Sequence, residues 1–150
     1  MHTIRNGILA GLCAGLVLAT FNFVVNGSPG SGLPEILHWF GIAADNGTGS
    51  RFAGYVLVVI LGGIFGVLFS LIQGGGYVSG ARSLLTGLGL GFAWWLLLSL
   101  VLCNIAFKQS LFHTSFADVL LTLPLNLVFG VVLGTAYDLL QRRSAEARLR

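Results

Sequence analysis

The sequence predicts an all-α integral membrane protein, a four-helix bundle built from two helical hairpins that repeat in parallel. Three observations carry this prediction. Only 9% of the 150 residues are charged while 55% are hydrophobic, whereas a soluble domain is charged at roughly one residue in four. Four long runs, Ile8–Val25, Phe52–Ile72, Leu84–Phe107 and Val119–Tyr137, contain no Asp, Glu, Lys or Arg. The second half of the chain also matches the first when the two are offset.

Each run has or approaches the ~20 residues needed to cross a hydrocarbon core about 30 Å thick. Inside that core every backbone polar group must be paired within its own segment, so each run is read as a helix. Helix 1 spans about 4–25 and opens on Arg5. It is read as a retained span, because no A-x-A-like cleavage site follows. Leu12 also precedes Cys13 where a lipidated cysteine needs a small residue.

The outer loop that follows is rich in Gly, Ser and Asn, but 33–41 reads as a short interfacial helix. Ser31 or Gly32 can cap it, Pro34 suits its first turn and Gly41 can end it. Trp39 and Phe40 fit the headgroup region. Helix 2, about 51–73, ends at a flexible turn, Gly74-Gly75-Gly76, which lacks the lysine of a phosphate-binding loop.

Helix 3 covers about 82–107, with Trp94 and Trp95 near mid-depth rather than in the interfacial belt. Helix 4, about 116–140, is capped by Thr114 or Ser115 and carries Asp118 in its first turn. Pro124 removes one helical hydrogen bond and is expected to bend it. The tail 141–150 is expected to lie along the inner surface as a short helical extension, with Arg142, Arg143, Arg148 and Arg150 near anionic lipid. The spans use nearly the whole chain, so residues 1–150 form a single membrane domain.

Orientation follows from the basic residues of the short connections. Arg5, Arg82, Arg142, Arg143, Arg148 and Arg150 fall on one side, and Arg51 and Lys108 on the other. The richer side is inside, which places both termini in the cytoplasm. The net charge of +3 is then a topological signature rather than a nucleic-acid footprint, for no basic stripe with stacking aromatics is present. Cys13 and Cys103 fall at opposite faces, too far apart for a disulfide.

Shifting helix 1 by 76 residues lays Gly7, Gly11 and Gly15 on Ser83, Gly87 and Gly91. Shifting helix 2 by 64 lays Phe52-Ala53 on Phe116-Ala117 and Phe65-Gly66-Val67 on Phe129-Gly130-Val131. Both copies start inside, so the repeat is parallel, about an axis along the membrane normal. Every helix carries small or short polar residues spaced by four: Gly7, Gly11 and Gly15; Gly62, Gly66 and Ser70; Ser83, Gly87 and Gly91; Asn126, Gly130 and Gly134. Such stripes let helix backbones approach closely, the common glue of membrane helices. All four lie in or towards the cytoplasmic half. The outer half holds bulkier rings, among them Phe21, Tyr55, Phe107 and Phe112.

Three features in this order carry a family resemblance. They are Arg5-x-Gly7-x-x-x-Gly11 opening helix 1, Leu33-Pro34-Glu35 in the outer loop, and the run from Asn126 through Phe129-Gly130 and Gly134 to Tyr137 closing helix 4. With them the chain resembles the small four-helix inner-membrane proteins related to the YagU-like family. The resemblance implies a multi-pass protein of a bacterial or archaeal cytoplasmic membrane and brings no settled activity. Relatives often carry histidine where this chain has Asn126, so a metal or haem role at that position is not carried over.

Chemistry-bearing groups are few. Glu35 and His38 have the E-x-x-H spacing of di-iron bundles, but such sites need two of these motifs and two further glutamates, and the chain's glutamates are Glu35 and Glu146. His38 and His113 alone make a poor metal site. His113, Ser115 and Asp118 hold the side chains of a nucleophilic triad, yet triads are set by geometry, and here capping is the simpler role. No ionisable residue lies within the spans between Asp118 and Asp138, against an ion-coupled transporter.

The expectation is therefore a protein without catalysis, cofactor or metal, serving as an accessory subunit of a larger membrane complex, respiratory or photosynthetic among the candidates. Its partners are membrane lipid and other membrane subunits. Trp94 and Trp95 are the candidate contacts for lipid, pigment or a neighbouring subunit. The alternative is a small oligomeric channel or facilitator for a small solute.

Overall fold

The computed structural model describes residues 2–26, 48–74, 79–96 and 116–146. They form four helices: α1, His2–Asn26; α2, Thr48–Gln73; α3, Gly80–Leu96; and α4, Phe116–Glu146. Three are long and apolar enough to cross a membrane, over Thr3–Phe21, Tyr55–Gln73 and Leu123–Glu146. The expected interfacial helix at 33–41, residues 97–107 of the third span and the last four residues of the tail lie outside the described residues.

Helix ends follow local chemistry. Gly74, just past α2, takes a φ of +70°, a left-handed conformation that side chains resist, and its N–H donates to the Leu71 carbonyl at 3.2 Å. The Ser83 N–H donates to the Ser79 carbonyl at 3.0 Å, which makes Ser79 the residue that caps α3. α4 is one helix across Pro124. It runs on through Glu146, taking in residues 141–146 of the expected helical extension. No Gly or Pro interrupts residues 137–146, and the Ser144 hydroxyl folds back onto the Leu140 carbonyl at 2.8 Å. Residues 141–146 thus belong to α4 itself.

α1 packs along α2, α3 along α4, and α1 against α4, whereas α2 and α3 approach each other least of the adjacent pairs. Gly7 lies by Ser70 and Gly15 by Val58, so α1 and α2 are antiparallel. Asn6 reaches Ser144 and Ser83 reaches Gly134. The starts of α1 and α3 and the ends of α2 and α4 therefore share one end of the bundle, which carries Arg5, Arg82, Arg142 and Arg143.

The core joins Ala10, Ala14, Phe69, Phe129, Leu133 and Tyr137. Its rings meet edge to face across helices: Phe69 with Tyr137 at 5.1 Å, Phe65 with Phe129 at 6.2 Å and Phe65 with Trp94 at 4.4 Å. Polarity is distributed the opposite way from a soluble bundle. Asn6, Ser70, Gln73, Ser83, Asn126 and Asp138 are buried, while Ile60, Leu71, Leu85 and Leu139 are each more than half exposed. An apolar surrounding removes the cost of that outer face.

Side-chain size explains why the two inter-pair edges differ. The side of α1 that reaches α4 carries Asn6, Ala10 and Ala14, all buried. The residues 76 positions later on α3 are Arg82, Thr86 and Leu90, which are bulkier. Small residues let α1 close on α4. Larger ones hold α3 away from α2, and the Phe65–Trp94 pair spans that edge.

Candidate functional site

The residues that sequence spacing singles out for packing meet along two seams. Between α1 and α2, Gly7 faces Gly66 and Ser70, Gly11 faces Gly62 and Gly66, and Gly15 faces Val58, Val59 and Gly62. Between α3 and α4, Ser83 faces Gly134, Gly87 faces Gly130 and Gly134, and Gly91 faces Asn126 and Gly130. A Cβ at Gly62 would stand 2.8 Å from the Gly15 Cα, and one at Gly134 would stand 2.7 Å from the Ser83 carbonyl oxygen. Backbone lies against backbone in both seams, leaving no room for a methyl group. The contacts also correspond: Gly7/Ser70, Gly11/Gly66 and Gly15/Gly62 become Ser83/Gly134, Gly87/Gly130 and Gly91/Asn126 under the offsets of 76 and 64.

Where the second seam departs from glycine, it gains a polar link. The Ser83 hydroxyl, fully buried, donates to the Gly134 carbonyl at 3.0 Å. Towards the other end of the first seam, the Thr20 and Tyr55 hydroxyls lie 2.9 Å apart, tying α1 to α2 above the glycines.

A polar cluster closes the Arg-bearing end. The Asn6 amide donates to the Ser144 hydroxyl at 3.1 Å and to the Leu140 carbonyl at 3.4 Å, joining α1 to α4. The Gln141 amide donates to the Tyr137 hydroxyl at 3.2 Å. Arg142 pairs with Asp138 at 2.8 Å, and the same Asp138 oxygen would be 3.1 Å from a Cβ at Gly80. The carboxylate therefore sits at the start of α3, where the unpaired N–H groups of a first turn favour negative charge. Two side chains in this region hold buried atoms without a hydrogen-bond partner, Asp138 at its second oxygen, Oδ1, and Gln73. Gln73 is 6% exposed, and neither its amide nitrogen nor its amide oxygen has a hydrogen-bond partner.

Sequence reading missed Gln73 and the Asn6 link, because a single polar residue near the end of an apolar run reads as a helix boundary. The two tryptophans occupy different settings. Trp94 is half-buried against Phe65, turned to the α2 side of the bundle, while Trp95 is half-buried and stacks with exposed Phe92 at 5.8 Å. Among the described residues no three His, Cys, Asp or Glu side chains gather as a metal site would require. Glu35, His38, His113 and Ser115 lie outside the described residues.

The arrangement is thus built for holding helices together, with an apolar exterior and a polar cap at one end. The chain belongs to a family of unknown function, DUF6789, whose sequence model matches residues 1–148. No curated protein and no solved structure matches it.

Proposed function

We propose that the chain is a non-catalytic, membrane-embedded subunit of a larger membrane complex, with respiratory and photosynthetic assemblies as the first candidates. It lies in the cytoplasmic membrane of a bacterium or archaeon with both termini inside, in contact with lipid and with other membrane subunits. Its two helix pairs descend from one duplicated hairpin, repeated in parallel. The corresponding contacts of the two seams support the duplication, and the four arginines at one end support the orientation. Kinship with the YagU-like inner-membrane proteins is part of the same proposal and rests on the motifs at 5–11, 33–35 and 126–137.

The observation that carries the subunit reading is the filling of the bundle interior. Phe65, Phe69, Phe129, Trp94 and Tyr137 meet ring to ring, where a pathway for solute needs a polar lining. Exposed Ile, Leu and Phe side chains on the four helices supply surface for lipid and neighbours. A small oligomeric channel or facilitator is the second reading, favoured by the buried polar groups Asn6, Gln73 and Asp138 at the Arg-bearing end. Reconstitution of the purified protein in liposomes separates the two. The subunit reading expects solute and ion flux at the level of protein-free vesicles; selective flux through the protein alone would overturn it.

A further inference from the structure

We infer that the open edge between α2 and α3 is a binding groove for an anionic phospholipid, with its phosphate at Arg82 and one acyl chain along the cleft. The inference rests on the membrane reading proposed above and adds a ligand to it. Three independent observations meet at this edge. α2 and α3 approach each other least of the adjacent pairs, because Arg82, Thr86 and Leu90 stand where α1 has Asn6, Ala10 and Ala14. Gly89 on α3 is exposed and has open space beside it, with nothing within 4 Å of the position a Cβ would take. Leu68 and Ile72 on α2 are 44% and 58% exposed.

Helical geometry puts these residues on one edge. At about 100° per residue, Leu68 and Ile72 project to the same side of α2 as Phe65, which touches Trp94 of α3. Arg82, Thr86 and Gly89 fall within one narrow sector of α3 at the same spacing. The Phe65–Trp94 pair is then the floor of the groove, and Arg82 stands at its mouth.

Charge selects the occupant. Arg82 is exposed and has no acidic partner among the described residues, whereas Arg142 is paired with Asp138. An apolar cleft that opens beside an unpaired guanidinium matches an amphiphile with a tail and an anionic head, and guanidinium binds phosphate through paired N–H donors. A transmembrane helix of a partner would meet the apolar walls but would leave that charge unanswered.

Trp94 at the floor supplies the probe. The full chain, with Trp39→Phe and Trp95→Phe so that Trp94 alone emits, is placed in vesicles containing brominated phosphatidylglycerol or brominated phosphatidylcholine. The groove predicts that phosphatidylglycerol quenches Trp94 with about fivefold tighter apparent binding, the order expected of one basic residue at an anionic surface. Arg82→Gln should abolish that preference and Arg143→Gln should retain it. Gly89→Phe, which enters open space, should reduce quenching by both lipids.

Equal quenching by the two lipids, or a preference that survives Arg82→Gln, overturns the proposal. So does a photoreactive benzophenone at position 89 that cross-links protein rather than lipid. Failure of the chain to float with vesicles would refute the membrane reading itself; flotation without headgroup preference refutes the groove alone.

Discussion

Adding one methyl group at Gly66 should loosen the whole bundle, and the same change at Gly89 should not. A Cβ at Gly66 would run into the Gly7 carbonyl oxygen and stand 2.8 Å from the Gly7 carbonyl carbon and 2.9 Å from the Gly11 Cα. Carbon atoms are at ease at about 3.5–4.0 Å, so α1 and α2 must part by roughly 1 Å. A gap of that order forfeits about a quarter to a half of each dispersion contact along the seam. Overpacking of this kind costs about 1–3 kcal/mol, partly offset by the ~1 kcal/mol by which Ala outranks Gly as a helix former. The atoms met are backbone and cannot swing aside, which puts the strain in the upper part of that range, about 2–3 kcal/mol, so the net expectation for Gly66→Ala is a loss of about 1–2 kcal/mol. At Gly89 nothing lies within 4 Å, so only the propensity term acts and Gly89→Ala should gain up to ~1 kcal/mol. Reversible unfolding in mixed micelles of mild detergent and dodecyl sulfate measures both. Equal effects of the two substitutions, or a Gly66→Ala protein as stable as the parent, would refute the seam argument.

The polar groups give further expectations. Gln73→Leu should stabilise the bundle by about 1–3 kcal/mol, since it removes a buried amide whose two polar atoms have no partner; a loss in the same unfolding assay would mean that the amide is engaged by a group the isolated chain lacks. Ser83→Ala, which deletes the buried bond to the Gly134 carbonyl, should cost about 0.5–1.5 kcal/mol. In a double-mutant cycle, Asn6→Ala and Ser144→Ala should be coupled by about 0.5–1.5 kcal/mol, because their amide and hydroxyl bond each other across α1 and α4. Additive effects would show that this link contributes nothing.

Much of the architecture can be read from the chain because membrane helices obey few rules. Charge-free runs mark where helices must lie, and α1 and α2 differ from the spans 4–25 and 51–73 only at their ends. Residues such as Gly11 and Gly66 could be singled out because fourfold spacing marks one flat face whatever its neighbour is. The sequence was silent on which neighbour each remaining face would meet. Asn6, Ala10 and Ala14 are unremarkable as letters, yet beside Arg82, Thr86 and Leu90 they decide which edge closes and which stays open. Residues 141–146, expected as a helical extension of the tail, continue α4 without a break, since no Gly or Pro stands between Tyr137 and Glu146 to end it. Gln73 could not be flagged because an unmatched amide is a property of the packed bundle, not of its own helix.

Extraction from native membranes decides whether this bundle serves within a larger assembly. The native protein, solubilised in a mild detergent and isolated without overexpression, is sized and its companions are identified by mass spectrometry. A subunit is expected to co-migrate with at least one other membrane protein at fixed stoichiometry, and less so when Trp95, which stacks with exposed Phe92 on α3, is replaced by leucine while membrane insertion is unchanged. Recovery of the chain alone or only with copies of itself, whatever the detergent, would contradict the subunit reading.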